Sequence, residues 1–579
     1  CTCRRQRQMC IRDRRYLEGK LSSNSYESSC NEESFKVYPR RMKKMYGWEP
    51  NSMFYPTDRK EHNYSQAYFR TLRQFRNAMN KTNAHEGMIS PECKFQDEVN
   101  VSPSEWALVV EYKQRNDNRI SHCDLEIECS KKSFKPYKNN TITQEDPDLI
   151  AKKSNRIAPY LIANLDIECV SASNSFPEAA NPQDIIIEVG ITYWRFGTPS
   201  ESAVKVMHVV GECDPIENIV IHSYDSEYDM LVGVRKEIVM DTDPDIISTY
   251  NGFGFDLKYL WDRAELLKCE EFFYLDRNIY KKAPGKIKEL SSSALGSNEL
   301  FIIDMNGRSN LDIFHWIKAR EKLQSYKLDS VCEHFLKERK VDMDYKDLFK
   351  FSKTPDGRAK IAYYCAQDCY LLVRLMKRLQ IIAANTEMSR VCFVPMEMLV
   401  TRGQQIKVIH QLVHYGHRMG ARDDKFNGGY AMNVPEEFSG GKDDGYEGAT
   451  VIDAKTKYYK EPVAVLDFMS LYPSIMLANN FCPSNLVQKE RFKNIPGVHY
   501  VTIQVTPQKC YTWAMGTVGT KWKQVGAEGH KTIKRDVAVP SLATLLKDCE
   551  AEVGILPHEK LYTAQSLYQY RQSFGWRCH

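Results

Sequence analysis

Two stretches of this sequence place acidic side chains inside apolar runs at spacings that could hold cations. In L-I-A-N-L-D-I-E-C, Asp166 and Glu168 stand two residues apart. On a strand, residues i and i+2 face the same way. Paired carboxylates in a core cost free energy unless a cation neutralises them. The other reading is the solvated face of an edge strand, and this pair alone leaves both open. Asp256 ends S-T-Y-N-G-F-G-F-D, just past a strand, where ligands of open α/β sheets gather. It could equally cap a helix over Leu257–Arg263. Tyr364 and Asp368 lie four apart in A-Y-Y-C-A-Q-D-C and share a helix face. Singly, they read as a core tyrosine and a solvated acid. Together the order is D-x-E, D, Y-x-x-x-D, an oxygen-rich set suited to Mg²⁺ or Mn²⁺. Two such ions about 4 Å apart can activate a water and stabilise a leaving 3′-oxygen in phosphodiester hydrolysis. A tyrosine hydroxyl beside them can orient that water.

The second stretch is V-A-V-L-D-F-M-S-L-Y-P-S-I-M. Asp467 ends an apolar strand. Ser470, Leu471 and Tyr472 follow at a turn, where backbone N–H groups can cradle phosphate oxygens. Tyr472 could close a sugar pocket, and Pro473 suits the start of a helix. The plain alternative is a buried strand and a capped helix, with Asp467 as a turn residue.

These residues need positioning elements. Pro159–Val170 and Asp184–Tyr193 read as strands, Asp225–Asp241 as a helix, and Asp245–Tyr250 as a strand. Leu257–Leu267 reads as a helix, Ser291–Ser297 as a loop and Phe301–Asn306 as a strand. The helical spacing of Gly357–Ile382 predicts one long helix, and Glu387–Tyr415 reads as helical. Strands alternating with helices predict an α/β domain. Upstream, Ser104–Tyr112 and Cys123–Cys129 read as strands and Lys131–Lys153 as a loop. Downstream, Gly428–Gly448 reads as a boundary loop. Ala449–Ile452 and Val463–Phe468 read as strands, Leu471–Leu477 as a helix or tight turn, and Gly516–Lys534 as a loop. Asp241-Thr242-Asp243 reads as a solvated helix-end turn.

Composition bounds these readings. The 579 residues are 42% hydrophobic, 27% charged and 11% aromatic, which excludes a collagen-like or wholly disordered chain. At about 150 residues each, roughly three or four domains are expected. No window approaches the ~18 consecutive apolar residues of a membrane helix, and no apolar segment of a secretion signal follows the N-terminus. The net charge of +5 permits a nucleic-acid partner without arguing for one. The 18 cysteines include no C-x-x-C pair, which disfavours a zinc finger. Cys365 and Cys369 read as buried thiols on a helix. The chain starts at Cys1, and Cys1–Arg15 is arginine-rich. Residues 1–34 read as a disordered arm or an assembly artefact.

The motifs together resemble the family B DNA polymerases, in the delta-like or large-DNA-virus branch. A-P-Y-L-I-A-N-L-D-I-E-C, D-P-D-I-I-S-T-Y-N-G-F-G-F-D and Y-Y-C-A-Q-D-C resemble that family's three exonuclease motifs. Y-K-L-D-S-V-C-E-H-F-L resembles the stretch between the last two. D-F-M-S-L-Y-P-S-I-M resembles its first palm motif. The resemblance implies an α/β multidomain chain. Residues 35–156 would be a mixed α/β N-terminal domain and 157–385 a ribonuclease H-like 3′-5′ exonuclease. Linker helices and an incomplete palm would occupy 386–579.

By the same resemblance, Asp166, Glu168, Asp256 and Asp368 hold metal, Tyr364 positions water, and Asp467 is the palm's metal ligand. Ser470, Leu471 and Tyr472 bind the incoming nucleotide. Tyr446, Gly448 and Ala449, in Y-E-G-A, contact template DNA. Arg402, in T-R-G-Q-Q-I-K, is a further DNA contact. Implied cofactors are two Mg²⁺ (or Mn²⁺) ions per active site. Implied partners are DNA primer-template, a single-stranded 3′ end, dNTPs, a sliding clamp and accessory subunits, with no membrane. Residence would be the nucleus for a cellular gene and the viral replication site for a viral one.

Two departures stand out. Many relatives read Q-I-G or Q-I-A where this chain has Glu188-Val189-Gly190, a change that touches no motif ligand. The family's K-x-x-x-N-S-x-Y-G helix and D-T-D hairpin do not follow Asp467. The expectation is therefore the N-terminal part of a replicative polymerase, with the exonuclease as its intact site. A stand-alone DEDDy exonuclease and a non-catalytic DNA-binding subunit are the alternatives.

Overall fold

The computed structural model describes residues 14–18, 35–44, 47–48, 61–69, 89, 91–137, 156–171, 176–292, 296–338, 343, 345–419, 430–431, 456–462, 468, 470–478, 481–482, 485–506, 509–517, 522–526 and 529–533. Two compact units divide the chain. One is built mainly from 88–414, and the other from 15–67, 79–87 and 415–579.

The first unit is organised by a six-stranded mixed sheet. Its strands are β1 (Leu161–Val170), β2 (Ile185–Arg195), β3 (Val204–Val210), β4 (Ile219–Tyr224), β5 (Ile246–Thr249) and β8 (Ser309–Asp312). A hairpin of β6 (Gly285–Ser292) and β7 (Gly296–Ile303) is inserted between the last two. Across the sheet the order is β4-β3-β2-β1-β5-β8. β1–β2 and β2–β3 pair antiparallel, while β5 runs parallel to both β1 and β8. Helices cover both faces, so β2 reads as an almost unbroken apolar run, I-I-I-E-V-G-I-T-Y-W, buried from Ile186 to Trp194.

On one face lie α1 (Glu227–Lys236) and α2 (Asp256–Leu266). Met230, Leu231, Val234, Leu257 and Leu260 from these helices share a core with Leu165, Val189 and Ile191 of the sheet. A buried ion pair ties the layer together. Arg263 on α2 donates to Glu227 on α1 through Nε (2.9 Å) and Nη2 (2.5 Å). Glu227 also accepts from the Ile186 backbone N–H of β2 at 2.9 Å. The guanidinium's other protons go to the carbonyls of Ala179, Asn181 and Pro182, which is how a fully buried charge is satisfied.

On the other face lies the long helix α4 (Pro355–Arg378); before it the chain forms the short α3 (Ile313–Lys318) and two further short helices, Leu328–Leu336 and Tyr345–Phe351. Thr354 caps α4, accepting from the Gly357 N–H at 3.1 Å, with Pro355 in the first turn. Its Leu371, Leu372, Leu375 and Met376 pack with Ile162, Trp194 and Leu311. The helix packs tightly over Gly190. A Cβ there would lie 2.6 Å from Cys365 Sγ and 3.3 Å from Cys369 Sγ, so only glycine admits this approach.

Several expectations need correction. The long helix over Gly357–Ile382 ends at Arg378. Gln380 takes a left-handed φ of 52°, and a second helix runs over Ile381–Cys392. Glu387–Tyr415 is likewise broken, with short Met398–Thr401 and then Gln405–Met419. Ser291–Ser297 is no simple loop, because Ser291 pairs with Ser297 and Ser292 with Gly296 at the hairpin's end. Asp225–Asp241 is α1 followed by a wider π-turn, Glu237–Thr242. Asp241-Thr242-Asp243 is a helix-end turn as expected, with Asp243 at a left-handed φ of 46°, but Asp243 is not merely solvated, since its carboxylate accepts from Arg277 (2.9 Å) and buried Arg308 (2.6 Å). Only Ala107–Val109 and Lys113–Gln114 are strands near Ser104–Tyr112, and only Ile127–Glu128 in Cys123–Cys129.

The second unit holds a sheet ordered Arg14–Glu18, Glu61–Phe69, Phe35–Lys44, Tyr430–Ala431, and two hairpins, Val498–Thr506 with Lys509–Thr517 and Trp522–Gly526 with Gly529–Ile533. So Arg14–Glu18 is a strand within the expected disordered arm, and the expected loop Gly516–Lys534 carries a ladder. Leu471–Ala478 is helical as expected. Ala449–Ile452 and all of Val463–Phe468 but its last residue lie outside the described residues. No helix among the described residues is long and apolar enough to cross a membrane.

Gly190→Ala should destabilise the first unit by about 1–3 kcal/mol, read from denaturant unfolding. Adding Cys365→Ala, which removes the facing sulfur, should recover part of that loss. A second expectation concerns His410, which is buried in the helix Gln405–Met419. Burial lowers its pKa from the ordinary 6.5 to about 4, with Asp97 opposing the shift. The unfolded chain therefore binds the extra proton between those values, and stability falls as pH drops from 6.5 toward 4. The slope should approach ~1.4 kcal/mol per pH unit. His410→Gln should flatten that part of a melting-temperature profile.

Candidate active site

β1 delivers the first two acids. Its burial alternates over Asp166-Ile167-Glu168-Cys169, with both carboxylates half-exposed and the residues between them buried. The edge-strand reading fails, because β1 is interior, between β2 and β5. Donor atoms of Asp166, Glu168 and Cys365 all lie within 4.8 Å of one another. Cys365 comes from α4, and its sulfur is 3.9 Å from both the Asp166 carbonyl oxygen and Oδ2. The Cys365 thiol is held well above its ordinary range by its bond with Cys369 and by burial, then by the charges of Cys369, Asp166 and Glu168. It is a neutral thiol packed against the acids, and the expected reading of both cysteines as buried thiols agrees with the structure.

Asp256 opens α2 at the C-terminal end of β5. It is not the helix cap. Phe255 holds that position and makes no side-chain cap bond. Its carboxyl is buried instead, and burial raises its pKa to about 7, with Asp312 adding to the shift and the N–H groups of Asp256 and Ile167 opposing it. The Ile167 bond links Asp256 to the middle of the D-I-E triplet.

Asp368 is buried on α4 and Tyr364 is half-buried one turn earlier. The acids converge electrostatically. Burial pushes the Cys369 thiol up, and Asp166, Asp368 and Asp256 push it further. Cys169 is raised by burial, then by Glu168 and Asp256 among others. Among the described residues, Asp166 and Glu168 share a donor cluster with Cys365, while Asp256 reaches β1 through the Ile167 N–H and Asp368 lies one turn after Tyr364 on the helix of Cys365. Hard oxygen donors partly withdrawn from water are what a divalent cation requires.

Two residues outside the motifs adjoin these acids. Asp312, fully buried at the end of β8, accepts from the N–H groups of Asn251 (3.1 Å) and Phe253 (3.0 Å). It also caps α3 through the His315 N–H at 3.3 Å. It therefore anchors the Asn-Gly-Phe turn that leads into Asp256. The available signal was an Asp at the end of a short strand in S-N-L-D-I-F, close to the pattern that singled out Asp467. Glu188 is the other. It pairs directly with Glu168 across the β1–β2 ladder and is completely buried. Burial and then the Glu168 charge drive its carboxyl well above the ordinary range, opposed by Arg358.

Of the second constellation, Asp467 lies outside the described residues, as do Tyr446, Gly448 and Ala449. Ser470 has a left-handed φ of 55°, and its carbonyl accepts from the Ser474 N–H at 2.9 Å as the helix starts. Leu471 and Tyr472 are exposed at 43% and 71%, with Ile475 and Met476 at 42% and 54%. That helix presents apolar side chains outward, unlike any interior helix. Arg402 is exposed in the first unit, immediately after Met398–Thr401. Lys288 of β6 is held below the usual lysine range by burial, with Arg402 contributing and Glu397 opposing.

Comparison with known proteins decides what this arrangement is. Residues 86–331 match the family profile described as DNA polymerase family B, exonuclease domain. Residues 394–523 match DNA polymerase family B. The chain belongs to the family B DNA polymerases. Asp166, Glu168 and Asp256 fall within the first match, and Asp467 to Tyr472 within the second. The chain is 31% identical over 480 residues to a DNA polymerase of Paramecium bursaria Chlorella virus NY2A, covering 80% of this chain and 48% of that one. It is 36% identical over 384 residues to the DNA polymerase delta catalytic subunit of Candida albicans, covering 65% of this chain and 34% of that subunit. The chain thus spans half or less of the length of these relatives. The family B DNA polymerase of Pyrobaculum calidifontis shares the fold, with a TM-score of 0.54 at 18% identity, over 95% of this chain and 60% of that one. The six-stranded sheet with its two helical layers is accordingly the ribonuclease H-like exonuclease fold of this family.

Asp312→Ala should strand the two turn N–H groups and uncap α3. The expected cost is on the order of 3 kcal/mol, read from chemical denaturation, with Asp312→Asn recovering part of it.

Proposed function

We propose that the first unit is a proofreading 3′-5′ exonuclease acting on a single-stranded DNA end, in a replicative, delta-like DNA polymerase. The observation that supports this is the pairing of the Asp166 and Glu168 carboxylates beside Cys365 of α4, with Asp256 bonded to the Ile167 N–H between them and Tyr364 sharing a helix face with Asp368. Asp166, Glu168, Asp256 and Asp368 would hold two Mg²⁺ or Mn²⁺ ions, which supply charge stabilisation and an acidified water. The chain's own residues do the rest. Tyr364 orients the attacking water through its hydroxyl. The buried Asp256, braced by the Ile167 N–H, keeps a carboxylate where bulk water does not compete for it. Cys365 and Cys369 close the space behind Asp166 without adding charge.

The second unit would carry the entry to the polymerase palm. There Asp467 would be a metal ligand, and the Ser470–Tyr472 backbone would face the triphosphate. The exposed Tyr472 ring would lie against the sugar. Tyr446, Gly448, Ala449 and Arg402 would contact DNA. The parent activity is then dNTP addition to a primer–template, with a sliding clamp and accessory subunits as partners, in the nucleus or at a viral replication site. The match over 394–523 favours this over a stand-alone nuclease, which has no use for S-L-Y-P-S. The full acid set favours it over a scaffold subunit.

The double variant Asp166→Ala, Glu168→Ala should lose Mg²⁺-dependent digestion of a labelled single-stranded 3′ end by 10³-fold or more, on the order of removing a two-metal site. Digestion at the wild-type rate would refute the assignment.

A further inference from the structure

Glu188 is a buried, charge-bearing group that the structure leaves unexplained. Both carboxyl oxygens are buried and have no hydrogen-bond partner. A buried carboxyl left so costs several kcal/mol if ionised, yet neighbouring hydrophobic side chains would fill the same space without that cost.

Its direction follows from the ladder. Glu188 stands opposite Glu168, and Gly190 opposite Asp166. Directly paired residues of antiparallel strands project to the same face, with Cβ atoms about 5 Å apart. The ladder shifts register between Glu168 and Cys169. Around that bulge, Ile186 and Val189 join the core with α1 and α2, while Ile187 packs with Ile361 of α4. The bulge thus turns Ile187 and Glu188 together toward α4, the side on which Asp166 meets Cys365. Arg358, whose charge acts on Glu188, makes no hydrogen bond to it. Arg358 donates to the Glu212 carbonyl at 2.6 Å and the Ser352 carbonyl at 2.7 Å.

We propose that Glu188 is an additional carboxylate donor of the divalent-cation site at Asp166 and Glu168, so that the ion nearer Glu168 is held from both strands of the β1–β2 ladder. This rests on the exonuclease reading. It assigns to β2 a ligand that the three exonuclease motifs do not include. An amide at this position would supply one neutral oxygen. The carboxylate supplies a full charge and two oxygens, which hard cations prefer.

The test is calorimetric titration of Mn²⁺ into the full chain, without nucleic acid, for the wild type, Glu188→Gln and the Asp166→Ala, Glu168→Ala double variant. The double variant should lose the tight binding. Glu188→Gln should weaken it about tenfold or more while melting at the wild-type temperature in chelator. Unchanged affinity in Glu188→Gln, with binding still lost in the double variant, overturns the role of Glu188 alone. Equal binding by all three overturns the exonuclease reading with it. A variant that fails to fold is bypassed by Mn²⁺ anomalous diffraction from wild-type crystals. A peak within about 2.5 Å of a Glu188 oxygen is expected, and a peak on Asp166 and Glu168 that leaves Glu188 farther away overturns the proposal.

Discussion

The structure of the first unit is governed by the cost of gathering carboxylates where water is scarce. Asp166, Glu168, Asp256, Asp368, Asp312 and Glu188 all lie at or next to one stretch of sheet, and four of the six are buried. Each carboxylate withdrawn from water needs donors, a cation or a proton. Asp312 has three backbone N–H donors, and Asp256 has the Ile167 N–H and its own. Glu188 has none in the protein. Glu188, opposite Glu168 in the ladder, must therefore be met by a proton or by a bound cation.

That constraint explains the scaffold. Positioning several acids against their mutual repulsion requires elements that cannot relax. The Glu227–Arg263 pair cross-links α1 to α2 and, through the Ile186 N–H, both of them to β2. On the same helix, Arg263 and Asp256 stand at opposite ends of α2. Fixing one end of a two-to-three-turn helix in the core leaves the other little freedom, and the Asp312-anchored turn removes what remains. These contacts lie far from any reacting atom, yet they set where Asp256 sits.

Much of this was legible in the sequence. The strands carrying Asp166 and the turn carrying Asp256 read from apolar periodicity, and the shared face of Tyr364 and Asp368 from helical spacing. Other features depend on contacts between residues far apart in the chain. The roles of Glu188 and Asp312 follow from strand neighbours that only the sheet order reveals. The break at Gln380 was hidden because apolar spacing continues across it, and a left-handed residue that is not glycine leaves no local mark. The Ser291–Ser297 hairpin end was missed because serine-rich stretches read as loops, while its ladder is set by Ile287 and Phe301 further back. Of the second constellation, the helix after Ser470 was read correctly, but Asp467 lies outside the described residues.

The spacing between β1 and α4 is the last step that joins sequence to chemistry. Asp166 comes from the strand and Asp368 from the helix, so the distance between them is the packing distance of the two elements. That distance is set at Gly190, where a Cβ would meet Cys365 at 2.6 Å and Cys369 at 3.3 Å. Cys365 and Cys369 flank Asp368 on α4 and face the same sheet position. Sulfur is large, polarisable and uncharged at these raised pKa values, so it fills the gap without adding charge. A smaller residue at either position would let the helix sink, and a larger one on β2 would lift it. Either change moves Asp368 relative to Asp166 while leaving every acid in place. The geometry of the acid set is therefore encoded as much in one glycine and two thiols as in the acids themselves.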